Sequence, residues 1–427
     1  MFRGKPGLER IVIQGLPYRG GWLVAVCALW TSGCLPKSAV QAPAAKDAPT
    51  AFRLEADDCY HVYPGGGIQQ ALEAAAQDPA RKTVIVHAGT YRPAQPGQAL
   101  IFFNARHDGI SLLADGEVTL HAANPAVADP ASHAYPDVVS HTVYFGHGVS
   151  NRTLMQGFKL TGSRGFATFE DPIEPIDPAL GSPGLEKGPF IYVDGGAIKV
   201  FGNSFPRLVG LEVIDNAAQM CGGGINVEQR GHQDGALVIQ DCIFRNNRCP
   251  GTGSAVDILS GGSVVLENCL FVGNISNTGM EAIAKQWGLE HNPEHGAGAL
   301  TVFPGSKVQV RRCTFTANWN GADDQGQGNT YADCIFWKNT ASDGSRPKGP
   351  YELDILDGSN VRNCWLHGDI DDLRGTLDPT QNTLQAPDPK FDEFYQPRAP
   401  EYKGVGYRPV ERVASARQAT TKAPSHN

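Results

Sequence analysis

Six polar side chains that could do acid-base or cation chemistry recur at equivalent places in short apolar segments. Lys199 lies in Ala197-Ile198-Lys199-Val200, Asn226 in Gly224-Ile225-Asn226-Val227 and Asp257 in Ala255-Val256-Asp257-Ile258. Thr301 lies in Ala299-Leu300-Thr301-Val302 and Asp354 in Leu353-Asp354-Ile355, and Ala322-Asp323 fits between these two. Alternation with period two puts the flanking apolar side chains on one face of a strand and these polar ones on the other. If the segments stack in register, the polar residues form an outward, water-facing column. A neighbouring column would read Phe201, Glu228, Leu259, Phe303 and Leu356.

Like charges one strand spacing apart repel unless something occupies the site. A cation or a substrate would relieve that. In one reading Glu228, Asp257 and Asp323 hold Ca²⁺ through oxygen ligands, and Lys199 or Arg230 removes a proton beside a uronate carboxylate, which is polysaccharide lyase chemistry. In a second, two carboxylates hydrolyse the glycosidic bond: Asp257 and Asp323 would be two strand spacings apart, roughly 9 to 10 Å, at the upper end of the inverting range. Asn226, Thr301 and Asp354 would then hydrogen-bond the sugar, and Trp287 and Trp319 would stack on its rings. A third reading is a surface protein that binds glycan or a partner without turnover, since outward positions on any solenoid are polar simply because they are wet.

The elements that must position these residues come from an internal repeat. Cys242-Ile243-Phe244 followed by Asn247 recurs as Cys269/Phe271/Asn274, Cys313/Phe315/Asn318, Cys334/Phe336/Asn339 and Cys364/Leu366/Asp369. Leu211/Val213/Asn216 and Phe158/Leu160 keep the spacing without the cysteine. Each unit is too short to bury its own apolar face, so stacking must supply the core. Two or three short strands per turn with glycine-rich corners predict an all-β, right-handed parallel β-helix. Ile68, Ala71, Leu72 and Ala75 fall at helical spacing, which predicts a short N-terminal helix that plugs the open end. Two insertions interrupt the repeat, about 164 to 190 and about 279 to 295, and the second carries Glu281, Lys285, Trp287, His291 and His295. Long loops on a rigid coil are frequent carriers of function.

The stretch from Tyr63-Pro64-Gly65 to Tyr91, with Val84-Ile85-Val86 and Gly89-Thr90-Tyr91, resembles the opening of the pectate-lyase-like β-helix superfamily. Asp388-Pro389-Lys390-Phe391 resembles that superfamily's closing segment, so the resemblance covers roughly residues 59 to 408. It implies the fold and leaves the chemistry open among lyases, hydrolases, epimerases and proteins without activity. Gly146-His147-Gly148 and Asp323-Asp324 resemble pieces of the polygalacturonase signature, but in that family the paired aspartates come first. His291 and His295 are four apart, yet Pro293 interrupts the helix that a zinc protease needs.

Residues 1 to 33 read as a secretory signal: Arg3, Lys5, Arg10 and Arg19 precede the apolar run from Trp22 to Trp30. Thr31-Ser32-Gly33-Cys34 resembles a bacterial lipobox, which implies lipidation at Cys34, and Leu35 after it resembles lipoproteins sent to the outer membrane. Residues 34 to 52, rich in alanine and proline, are a tether. Residues 53 to 408 are the β-helix domain and 409 to 427 a disordered tail. The expected address is the bacterial cell envelope, with the lipid anchor as the membrane contact. The five repeat cysteines should behave as small buried hydrophobes, and Cys221 and Cys249 are placed to pair. Net charge is −8 and basic clusters are missing, so nucleic acid is not an expected partner.

Overall fold

A computed structural model describes residues 52–132, 134–165, 193–277, 297–339, 351–368, 373–375 and 377–410. The signal segment, Cys34, residues 166–192 and 278–296 of the two long insertions with Trp287, and the C-terminal tail from 411 lie outside these residues.

The chain winds as a parallel β-helix. Each central coil contributes three short strands, for example Leu237–Gln240, Ile243–Arg245 and Val256–Ile258. The first two kinds stack into one sheet of 18 strands and the third into a separate sheet of nine. Among the described strands pairing is parallel from coil to coil, except for Arg53–Leu54 against Tyr60–Val62.

Two residues per coil in the left-handed backbone region bend the chain around its middle strand. Asp241 and Asn246 bracket Ile243–Arg245, with φ of 57° at both, and Asn268 and Gly273 bracket Leu270–Val272, with φ of 52° and 67°. Asparagine, aspartate and glycine tolerate this conformation best, which is why they recur at these corners.

Stacking puts like beside like inside the coil. Phe244, Phe271, Phe315 and Phe336 form a pile with ring centroids 5.0, 4.3 and 4.8 Å apart. Cys242, Cys269, Cys313, Cys334 and Cys364 are all fully buried and free, as the repeat implied. Cys221 and Cys249, placed to pair by the sequence, are not joined by a disulfide.

Beside them runs an amide ladder. Ser163 Oγ donates to Asn216 Oδ1, then Asn216, Asn247, Asn274 and Asn318 each donate from Nδ2 to the next asparagine, and Asn339 donates to Glu352 Oε2. Each amide also reaches a backbone carbonyl inside the turn. Buried corner carbonyls are thereby satisfied without water.

The helix Ile68–Gln77 buries Ile68, Ala71, Leu72 and Ala75 into the same core cluster as the first strands. It packs on Tyr60–Val62, Thr83–Tyr91 and Gly97–Phe103 at the N-terminal end of the stack. The chain after Leu377 turns back along the outside of the large sheet, where Tyr407 packs on Leu270 and Val272.

Candidate functional site

The polar column assembles in the expected register. Lys199 pairs with Asn226, Asn226 with Asp257, Asp257 with Thr301, Thr301 with Asp323 and Asp323 with Asp354. Their neighbours Ile198, Val200, Ile225, Val227, Val256, Ile258, Leu300 and Val302 lie in the core cluster, so the column faces away from it. Glu228 stands beside Phe201 in the adjoining column.

The expectation of a wet column is corrected. Lys199, Asn226, Asp257 and Asp323 have no exposed surface, and Thr301 and Asp354 are also buried. The reason is mutual satisfaction. Lys199 Nζ donates to Asn226 Oδ1 at 2.6 Å and to Glu228 Oε2 at 2.9 Å, and Asn226 Nδ2 donates to Asp257 Oδ2 at 2.9 Å. Thr252 Oγ1 donates to the other Asp257 oxygen at 2.7 Å. Gln325 Nε2 donates to Asp323 Oδ1 at 2.8 Å and the Tyr351 hydroxyl to Asp323 Oδ2 at 2.7 Å. Thr301 Oγ1 accepts from Gly253 N and Gly298 N. Arg230 reaches outward over the Phe201 ring while its guanidinium pairs with Glu228 Oε1 at 2.7 Å.

The electrostatics follow from burial and pairing. Burial pushes the Asp257 carboxyl well above its usual range, against the opposing hydrogen bond from Thr252. Burial also raises Asp194, beside the column, to about 6. Burial acts the same way on Glu228, but Lys199 and Arg230 more than offset it and hold that carboxyl below its usual range.

These side chains do not form a calcium cage. Calcium needs six to eight oxygens converging on one point, whereas Asp257 and Asp323 are separated by the Thr301 rung and Glu228 is held by two cations. Among the described residues no group of three or more His, Cys, Asp or Glu side chains converges to hold a metal. Lys199 is engaged in two contacts rather than poised as a base. Trp319, expected to stack on sugar, is 8% exposed and packs with Ile275 and Ala297. Asp324, next to Asp323, faces inward and accepts from Gly326 N, Asn329 Nδ2 and the Tyr331 hydroxyl. His147 of the Gly-His-Gly string lies on another coil and accepts from Asn203 N.

An open groove lies elsewhere, outside the amide ladder. Its floor is made by the left-handed corners Gly162, Asp215, Asn246, Gly273 and Ala317, one from each of five successive coils. Its volume is about 690 Å³, and Arg164, Arg248, His121, Asp137 and Tyr395 stand around it. Arg164, Asp215, Asn246 and Arg248 are exposed.

Asp137 is the unusual member. It is 4% exposed, and neither carboxylate oxygen has a hydrogen-bond partner. Burial raises its carboxyl to about 7, and the charge of Arg164 and its nearby backbone N–H oppose this. Asp137 is held by the segment that leaves the coil after His121 and returns to pair Asp137 with Ala123, where Asn124 N donates to Pro136 O. Reading the sequence missed this residue, because Tyr135-Pro136-Asp137-Val138 belongs to no repeat. The local signal is a lone acid two residues before the buried strand Val139–Phe145.

No family model, characterised protein or solved structure matches this chain.

Proposed function

We propose that the chain is an extracytoplasmic, polysaccharide-active β-helix protein of the pectate-lyase-like superfamily that holds an acidic glycan in the groove over the left-handed corners. The groove is the observation that carries this reading: an elongated site spanning five coils, with Arg164 and Arg248 available to the carboxylates of a sugar acid. Guanidinium groups suit that task because they pair with carboxylates in a planar, two-pronged geometry. The superfamily assignment rests on the opening from Tyr63 to Tyr91 and the closing Asp388-Pro389-Lys390-Phe391. Lipidation at Cys34, and with it anchoring at the outer membrane, belongs to the same proposal and is tested by palmitate labelling that disappears in Cys34→Ala.

Affinity electrophoresis through gels containing polygalacturonate, alginate or neutral xylan tests the groove. Retardation by an acidic polymer, reduced at least tenfold in Arg164→Ala/Arg248→Ala, is expected. Unretarded migration in all three gels would remove the reading. A lyase using the buried column predicts unsaturated products, visible by ultraviolet absorbance and lost in Asp257→Ala.

A further inference from the structure

Asp137 sits where its charge matters to whatever the groove holds. Its side chain is buried, neither oxygen has a hydrogen-bond partner, and it lines the same opening as Arg164. An anion in that position is expensive to keep. The backbones of both residues are fixed. Asp137 N donates to Ala134 O at 2.8 Å and the residue bridges to Ala123. Ser163, one residue before Arg164, donates to Asn216 Oδ1 from N and Oγ and accepts from Ala217 N. The Arg164 side chain, by contrast, is exposed. It is a long rotatable arm on a rigid anchor, near enough for its charge to act on Asp137.

One guanidinium therefore stands between two anions, Asp137 in the wall and a ligand carboxylate in the groove. While Asp137 is neutral, Arg164 pairs with the ligand unopposed. Once ionised, Asp137 attracts the arm and places a negative charge beside the ligand.

We infer that Asp137 and Arg164 form a pH-operated catch on the corner groove, which holds an acidic glycan while Asp137 is neutral and releases it when Asp137 ionises and draws Arg164 back. This rests on the glycan reading above and adds its regulation. Burial raises the Asp137 carboxyl to about 7, so release is expected as pH rises through neutrality. The groups packed around it are accounted for. His121 Nδ1 accepts from Ala123 N, and burial, aided by the charge of Arg92, holds this imidazole below its usual range, so it discharges at more acid pH. Arg92, which donates to Ala123 O, and Arg248 contribute guanidinium groups, which proteins do not deprotonate. Asp215 on the neighbouring coil is exposed and accepts from Asn246 Nδ2, Asp129 in the returning loop accepts from Ala131 N, and Tyr395 borders the groove from the C-terminal segment.

The test measures retention of the full chain in polygalacturonate and alginate gels, relative to a polymer-free gel, at pH values one unit either side of neutrality. Polymer carboxylates stay ionised at both. Wild-type retention should fall roughly three- to tenfold from the acid to the alkaline gel. Asp137→Asn should show no fall, His121→Gln should keep it, and Arg164→Gln should be retained weakly in both gels. By linkage, binding at neutral pH also draws protons onto the wild-type protein, which calorimetry in buffers of different ionisation enthalpy reads without any variant. A fall of equal size in Asp137→Asn or Arg164→Gln, or neither a fall nor proton uptake in wild type, refutes the catch while the glycan groove stands. If wild type is retained by neither polymer at either pH, the groove reading fails and the catch with it.

Discussion

Lys199 shows what a buried charge in this molecule depends on. Its ammonium is covered completely and contacts Asn226 and Glu228 at hydrogen-bond distance. Lys199→Met leaves the Asn226 carbonyl without that donor and Glu228 with Arg230 as its remaining cation. Removing one partner of a buried pair costs about 3 kcal/mol or more, and urea denaturation at pH 7 should show a loss of that size. The pH dependence has a defined sign. Glu228 lies below its ordinary 4.5 when folded, so its contribution is present above that value and disappears as pH falls through the folded one. Lys199→Met should flatten this acid limb. Asp137 behaves oppositely: its carboxyl is raised from 3.8 to about 7 on folding, so stability is full below about 3.8 and declines as pH rises to about 7. Asp137→Asn should therefore match wild type at acid pH and exceed it at neutral pH, as read by melting temperature across the pH series.

The repeating element is a short strand between two left-handed corners, and its ladders carry unequal shares of the stability. Phe271 is fully buried between Phe244 and Phe315. Phe271→Ala should cost about 3–5 kcal/mol through lost contact and a retained cavity. Asn274 donates to Phe244 O and Val272 O while its own carbonyl receives Asn247 N and Nδ2. Asn274→Leu strands several buried backbone groups at about 1–3 kcal/mol each, so it should equal or exceed the phenylalanine deletion. Cys269→Ala removes a sulfur whose one backbone neighbour on its own coil is Glu267 O at 3.3 Å, and a loss of roughly 1 kcal/mol is expected. Guanidinium denaturation of the three variants gives the order directly, and an Asn274→Leu protein as stable as Cys269→Ala would contradict the ladder's role.

At the scale of the whole molecule, the C-terminal segment ties distant coils together. Arg408 and Asn268 exchange two hydrogen bonds of 2.8 Å across 140 residues of sequence, and Tyr407 N donates to Thr314 Oγ1. Tyr402 and Val405 cover Ile335 and Trp337, and Tyr407 covers Leu270 and Val272. Burying large apolar side chains contributes about 1.5–3 kcal/mol each. Truncation after Gln396 should lower stability by at least about 3 kcal/mol and raise binding of a hydrophobic dye. Tyr395, which borders the groove, remains in that truncated chain, so the truncation separates loss of stability from loss of glycan retention.

The order of the coils was legible before any coordinates, down to the rung that places Asp323 between Thr301 and Asp354. Alternation and repeat spacing are local properties, and with a side-chain period of two a strand one residue out of register would expose its whole apolar face. The same patterns also marked the phenylalanine, cysteine and asparagine ladders. Exposure was not legible, because facing away from the core does not decide whether Tyr351, Gln325 or Thr252 will close over a carboxylate. Nor was the groove, whose walls meet only through winding: Asp137, Arg164, Asp215 and Arg248 share no motif and come from separate coils and a returning loop. Pairwise periodicity specifies which residues become neighbours along the axis. Burial, cavity shape and the displacement of a carboxyl depend on everything that surrounds a point in space, and that is settled only when the coils have stacked.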